Sequence, residues 1–150
     1  MTDHSPDAAA RALYRRLLDC WDRRDGLGFA ALFSPEGSIV GFDGSSMNGR
    51  REIAAHLVSI FAEHPTPVYV AKIREVRLLS ADVVLLRAVA GLIPRGASDI
   101  EPSLNAIQSL LARNQSDGWR IELFQNTPAA FHGQPALAAE ITAELRALLS

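Results

Sequence analysis

The stretch Val68–Thr127, VYVAKIREVRLLSADVVLLRAVAGLIPRGASDIEPSLNAIQSLLARNQSDGWRIELFQNT, decides the fold class. Its apolar residues recur with period 2 and are rich in β-formers, the pattern of strands with one covered face. Four strands are expected, at Val68–Leu79, Asp82–Pro94, Leu104–Gln115 and Trp119–Thr127. Hairpin-sized breaks lie at Ser80-Ala81 and Ser116-Asp117-Gly118, and a longer loop spans Arg95–Pro102. Connections that short join antiparallel neighbours.

On both sides of this stretch the period changes to 3.6. Ser5–Arg24 sets Ala10, Leu13, Tyr14, Leu17 and Trp21 on one stripe, opposite Arg15, Arg16, Asp19, Asp22 and Arg23. Ser5-Pro6 is a good helix start and Asp25-Gly26 a good stop. A short second helix is expected over Leu27–Phe33, followed by the turn residues Ser34-Pro35-Glu36-Gly37. Gly37–Asp43 reads as a first strand, broken by Gly44-Ser45-Ser46. Arg50–Glu63 is a third helix with Ile53, Leu57, Ile60 and Phe61 on its apolar side, and Pro65 and Pro67 close it. A last helix, Gln134–Leu149, carries Leu137, Ile141, Leu145 and Leu148.

This order is α+β. The expected form is a cone: a curved antiparallel sheet with helices across its concave face, plus a C-terminal helix. Such an arrangement encloses a pocket. The 150 residues show no repeat, linker or low-complexity tract, so residues 1–150 read as one domain.

Composition excludes several functions. With 15 basic and 17 acidic residues, a net charge of −2 and no basic run beyond pairs such as Arg15-Arg16, nucleic acid is not an expected partner. A single cysteine, Cys20, makes no internal disulfide; it reads as a small buried hydrophobe. The first twelve residues hold no apolar leader region, and no stretch has the ~18 apolar residues of a membrane helix. The chain reads as cytoplasmic. The histidines (His4, His56, His64, His132) lack ligand spacing, so no metal site is expected. His132 reads as a loop histidine, or as one at a pocket rim. No cofactor motif and no nucleophile elbow is present.

The element order, the start of helix three (Gly49-Arg50-Arg51-Glu52-Ile53) and the strand opening Gly118-Trp119-Arg120-Ile121 resemble the nuclear transport factor 2-like superfamily, with its cystatin-like fold. That superfamily includes ketosteroid isomerase, SnoaL-type polyketide cyclases and scytalone dehydratase. Three runs are similar to the SgcJ/EcaC-type family: Asp25-Gly-Leu-Gly-Phe-Ala-Ala-Leu-Phe33, the start of helix three with Ala54-Ala55-His56-Leu57, and Leu123-Phe-Gln-Asn-Thr-Pro-Ala-Ala-Phe-His132. The resemblance spans about residues 8 to 149. It implies an actinobacterial protein of secondary metabolism, some members standing beside enediyne polyketide genes. An apolar, polyketide-like ligand and cofactor-free isomerase, cyclase or dehydratase chemistry follow from it. The oxidoreductase label common in that family has no support in these residues.

The candidate residues each carry two readings. Tyr14 and Trp21 are core aromatics with a satisfied polar tip, or Tyr14 donates to a ligand carbonyl, as isomerases of the superfamily do from helix one. Asp43, beside Phe42, caps the following turn, or stands at the pocket mouth as a proton shuttle of raised pKa. Where a ketosteroid isomerase has a second acid or strong donor, the matching strand positions hold the amides Asn105, Gln108 and Asn126. Arg87 interrupts an apolar strand, so it pairs with Glu75 or Glu122, or faces a ligand. Alternation with Trp119, Ile121 and Leu123 points Gln125 inward and Asn126 outward. The same alternation leaves Val83, Leu85, Val89 and Phe124 on an uncovered face. That patch predicts a homodimer through the sheet. Two functional classes stay open: a cofactor-free enzyme, or a non-enzymatic accessory dimer that holds a ligand or a polyketide synthase partner.

Overall fold

A computed structural model describes residues 5–149; His4 lies outside them. Helix α1 (Pro6–Asp22) buries Ala10, Leu13, Tyr14, Leu17 and Cys20, one side of an α-helix at spacings of three and four. The Ser5 hydroxyl accepts from the Ala8 amide at 3.1 Å, a cap that stabilises a helix by about 1 kcal/mol. Asp25 opens α2 (Gly26–Ala31) in the same way, accepting from the Gly28 amide at 2.8 Å.

The first strand differs from expectation. It is β1 (Phe33–Val40), earlier than the Gly37–Asp43 reading. Ser34-Pro35 is turn chemistry by composition, yet the chain stays extended because Phe33 is anchored. Phe33 is fully buried, and its carbonyl accepts from Arg50 Nε at 2.8 Å and Nη2 at 2.5 Å. Pro35 is tolerated because the pairing register shifts between Phe33 and Ser38, where a missing amide costs no ladder bond. A five-residue turn, Gly41–Ser45, leads to the short β2 (Ser46–Asn48) and on to α3 (Arg50–Glu63). Gly49 between them has φ 91°, a conformation glycine adopts without strain.

Strands β3 (Val68–Ser80), β4 (Val83–Ile93), β5 (Ala106–Gln115) and β6 (Gly118–Pro128) form an antiparallel meander, close to the expected spans. The sheet order is β2-β1-β6-β5-β4-β3. Among the described residues, the one departure from antiparallel pairing is β1 beside β6, which run parallel. Register shifts in β1, β3 and against β5 bend the sheet, since an extra residue on one strand kinks and twists it. Helices α1, α2 and α3 cover the inner face, where Leu86, Leu110 and Ile121 are fully buried. Helix α4 (Pro135–Ala147) lies on the other face, packing Ile141 and Leu145 against Val89 and Ile100.

One bulge governs everything near the end of β6. Ile121 pairs with Ala112 and Leu123 with Leu111, so Glu122 is an extra residue between them. Past it, the alternation inverts. Phe124 (4% exposed) and Asn126 turn inward and Gln125 is exposed, the reverse of the expected order. The expected outer patch changes accordingly. Phe124 belongs to the core, and Val89 is covered by α4. What remains outside is Val83 and a row of leucines in register across three strands, Leu85, Leu111 and Leu123.

Candidate functional site

The space between the inner face of the sheet and α1–α3 is a cavity of about 470 Å³, within the range of small-molecule sites. Its walls are apolar: Leu17, Leu18 and Trp21 from α1, Phe29 from α2, Ile39 and Met47 from the β1–β2 hairpin, and Phe124 from β6. Trp21 is held by its indole N–H, which donates to the Pro67 carbonyl at 2.8 Å. Around it the rings of Phe61 and Tyr69 pack at centroid distances of 5.2 and 5.7 Å.

Behind the wall residue Asn126 runs a polar relay whose other members, Tyr14 and Gln108, do not themselves line the cavity. The Tyr14 hydroxyl donates to Gln108 Oε1 at 2.5 Å. Gln108 Nε2 donates in turn to Asn126 Oδ1 at 3.1 Å. Gln108 is 0% and Tyr14 2% exposed, so neither side chain reaches bulk water. Asn126 lines the cavity, and its Nδ2 has no partner among the described residues. The relay therefore ends at an amide of the cavity wall. The fold builds it by register: Gln108 and Asn126 are direct partners on β5 and β6, and α1 lies over them.

Tyr69, the second tyrosine, also lines the cavity. Burial pushes its pKa up to about 12, while a hydrogen bond from Gln108 works the other way. Burial also pushes the Tyr14 phenol well above its ordinary value, with Tyr69 adding to the effect. Both stay neutral donors at physiological pH.

Besides Tyr69, the ionisable groups along the cavity wall among the described residues are Asp43 and His56, both exposed. Asp43 does not end a strand. It sits in the Gly41–Ser45 turn, where its Oδ1 accepts from the Ser45 hydroxyl at 2.6 Å and the Ser45 amide at 2.9 Å. Those bonds hold its pKa below the ordinary carboxylate value, against the raised value expected of a shuttle. Phe42, its neighbour, does reach the cavity wall.

Of the other candidates, Arg87, Asn105 and Gln125 stand away from this cavity. Arg87 is exposed on the outer face, opposite Glu75 in the β3–β4 register, without an ion pair among the described residues. It lines a groove of about 530 Å³ beside α4 with Arg74, Glu75 and Glu140. Arg74 is bound there to Glu144 at 2.7 Å. Asn105 is buried beneath α4, donating from Nδ2 to the Thr142 hydroxyl at 3.0 Å. Gln125 turns outward beyond the bulge. His132 and Cys20 do not line the cavity.

Sequence reasoning passed over Tyr69 and Met47, read His56 only as a histidine without ligand spacing, and set Phe124 on the outer face. Tyr69 had a signal, sharing its parity along β3 with the core residues Ala71 and Ile73. His56 had another, standing one helical turn before Ile60 on α3.

No family model matches the chain, and no curated protein matches it. Solved structures do. A domain of unknown function with a cystatin-like fold from Nostoc punctiforme superposes with a TM-score of 0.81 at 26% identity, over 93% of this chain and 86% of that one. A ketosteroid isomerase-like protein from Erwinia carotovora atroseptica gives 0.66 at 19%, over 85% and 99%. An NTF-2 like protein of unknown function from Shewanella oneidensis gives 0.67 at 17%, over 81% and 98%. The fold is thus the cystatin-like, nuclear transport factor 2-like cone that the element order implied.

Proposed function

We propose that the chain is a small-molecule container that holds an apolar, polyketide-like ligand in the inner cavity, with one polar end of the ligand at Asn126. The observation that carries this is the Tyr14–Gln108–Asn126 relay. Burying three polar side chains costs stability unless every group is paired. Here the last amide of the relay, Asn126, lines a largely apolar cavity of ligand size, and its Nδ2 has no partner among the described residues. The resemblance of Leu123–His132 and its companion runs to the SgcJ/EcaC type supports a place in secondary metabolism, enediyne biosynthesis included.

We favour holding over catalysis. Proton transfer needs a titratable group within hydrogen-bond reach of the reacting atom. The acid on this wall, Asp43, is exposed and already bound to Ser45. The isomerase, cyclase or dehydratase reading draws on the ketosteroid isomerase-like neighbour and on His56 on the cavity wall. As a partner we propose a second copy docked through the Leu85–Leu111–Leu123 row, with a polyketide synthase as a further candidate. The free, buried Cys20 suits a cytoplasmic location, and among the described residues no helix is long and apolar enough to cross a membrane.

The test is calorimetric titration with 2-acetylnaphthalene, together with native mass spectrometry of the purified protein for a co-purifying apolar molecule. The wild type is expected to bind. Met47→Trp, which fills the cavity from a half-buried wall position, is expected to weaken binding at least tenfold, about 1.4 kcal/mol. Unchanged affinity in Met47→Trp would move binding elsewhere and end the reading.

A further inference from the structure

We infer that the inner cavity is made for a cationic ligand, with the Asp43 carboxylate as counter-charge to a protonated amine carried on an apolar body. The inference rests on the container reading and specifies its ligand.

Among the described residues the cavity is lined by no lysine and no arginine, and Asp43 is its one carboxylate. Arg24 and Arg95, which brace the C-terminal ends of α1 and α3, are engaged with the backbone. Arg24 donates to the Phe61 carbonyl, and Arg95 to the carbonyls of Thr66 at 2.8 Å and Asp22 at 2.7 Å. A second carboxylate acts from behind the wall. Asp22 Oδ1 accepts from the Tyr69 amide at 2.9 Å, and its charge is felt by the Tyr69 phenol, which lines the cavity. The remaining ionisable wall residue, His56, is exposed.

Asp43 carries more charge than its turn requires. Its Oδ1 receives both bonds of the turn, from the Ser45 hydroxyl at 2.6 Å and the Ser45 amide at 2.9 Å. An asparagine oxygen closes such a turn as well. The second oxygen, Oδ2, has no hydrogen bond or ion pair among the described residues. The bonds from Ser45 also hold the carboxyl below its ordinary pKa, so the charge is present at neutral pH.

The consequence is an order among ligands of one shape. A charge taken into a largely apolar space is disfavoured unless it is paired. For an ammonium the pairing group stands on the wall. For a carboxylate the wall has no fixed cation, and Asp43 adds repulsion. A neutral ligand falls between.

The experiment titrates one naphthalene skeleton in three charge states at pH 8, above the ordinary range of an imidazole. The probes are 2-(aminomethyl)naphthalene, 2-(hydroxymethyl)naphthalene and 2-naphthoate. At about 20 mM salt the wild type is expected to bind the amine about fivefold more tightly than the alcohol, and the naphthoate about fivefold more weakly. At about 500 mM salt both gaps are expected to shrink below about twofold, because exposed charges are screened. Asp43→Asn keeps an oxygen for the turn and removes the charge. It is expected to bring the amine and the naphthoate within about twofold of the alcohol, whose own affinity stays the same. The salt series uses the wild type alone, so it does not depend on the variant folding. Equal affinity for the three probes, naphthoate ahead of the amine, gaps that salt leaves unchanged, or an amine preference that survives in Asp43→Asn overturns the inference, and the bound alcohol leaves the container intact. Failure of all three probes to bind overturns the container and the inference with it.

Discussion

Replacing Gln108 by leucine is the sharpest test that the relay holds the interior together. Gln108 is 0% exposed and bonds Tyr14 at 2.5 Å and Asn126 at 3.1 Å. Leucine fills much the same volume, so little cavity opens. Three groups lose Gln108 as a partner, Asn126 and the hydroxyls of Tyr14 and Tyr69, but unequally. Asn126 lines the cavity and regains water there, whereas the Tyr14 hydroxyl, on a residue 2% exposed, regains nothing. One unpaired buried group is disfavoured by roughly 1–3 kcal/mol. For a chain of this length that is about 4–8 °C in Tm at the middle of the range. Tyr14→Phe removes the other end and leaves Gln108 free to turn, so it should cost less. The double variant removes both partners at once, which is close to neutral when the shape is kept. Urea unfolding of the wild type, both single variants and the double variant therefore closes a cycle. The expected coupling is about 1 kcal/mol or more, with the double variant more stable than Gln108→Leu alone. Additive losses, with coupling under about 0.3 kcal/mol, would refute the relay as drawn.

Three further outcomes follow from the same geometry. Tyr14 and Tyr69 are the chain's two tyrosines, and burial raises both, Tyr69 to about 12. Groups raised in the folded state ionise first in the unfolded one, so their contribution to stability is full below the unfolded value near 10 and is lost above it. Tyrosinate absorbance and loss of tertiary circular dichroism should then rise together above about pH 10; tyrosinate appearing below that in a folded protein would contradict the burial. Asp43→Asn should leave the affinity of the neutral 2-acetylnaphthalene within about twofold, because Asp43 serves the Ser45 turn; a loss of turnover by orders of magnitude on any substrate would instead make Asp43 a proton shuttle. Leu111→Arg, at the centre of the half-buried leucine row on the outer face, should convert a dimer to a monomer in sedimentation equilibrium at micromolar concentration; a monomeric wild type would remove the sheet dimer.

The elements that the sequence made legible are those in which one signal dominates. The α1 stripe of Ala10, Leu13, Tyr14 and Leu17 was read from period alone and is the buried side. The long strands of the meander were read from period 2 and their turn residues. Where two signals compete, the sequence misleads. Ser34-Pro35 looks like a turn, and what keeps it extended is a contact to Arg50, sixteen residues away from Ser34 in the chain and invisible to any local pattern. The parallel pairing of β1 with β6 is of the same kind, since nothing local in either strand specifies the other.

The site was legible in kind and misassigned in direction, and both have one cause. An amide in the last strand was expected to enter the interior, and one does, but it is Asn126 and not Gln125. Period-2 reasoning carries the face of Ile121 forward by counting, and each count is safe only while every residue has a partner. The extra residue Glu122 breaks the count. It is held there by outer-face partners, Gln115 Nε2 at 2.8 Å and Arg113 Nη2 at 3.2 Å. Those partners lie on β5, so the information that inverts the end of β6 resides in its neighbour. The inversion is also what makes the site. Without the bulge, Leu123 and Gln125 would face Gln108's side of the sheet, and Phe124 and Asn126 would face out. The apolar wall, the relay and its cavity-lining amide all depend on one unpaired residue, which is why a bulge at this place reads as a functional feature of the fold and not as an irregularity.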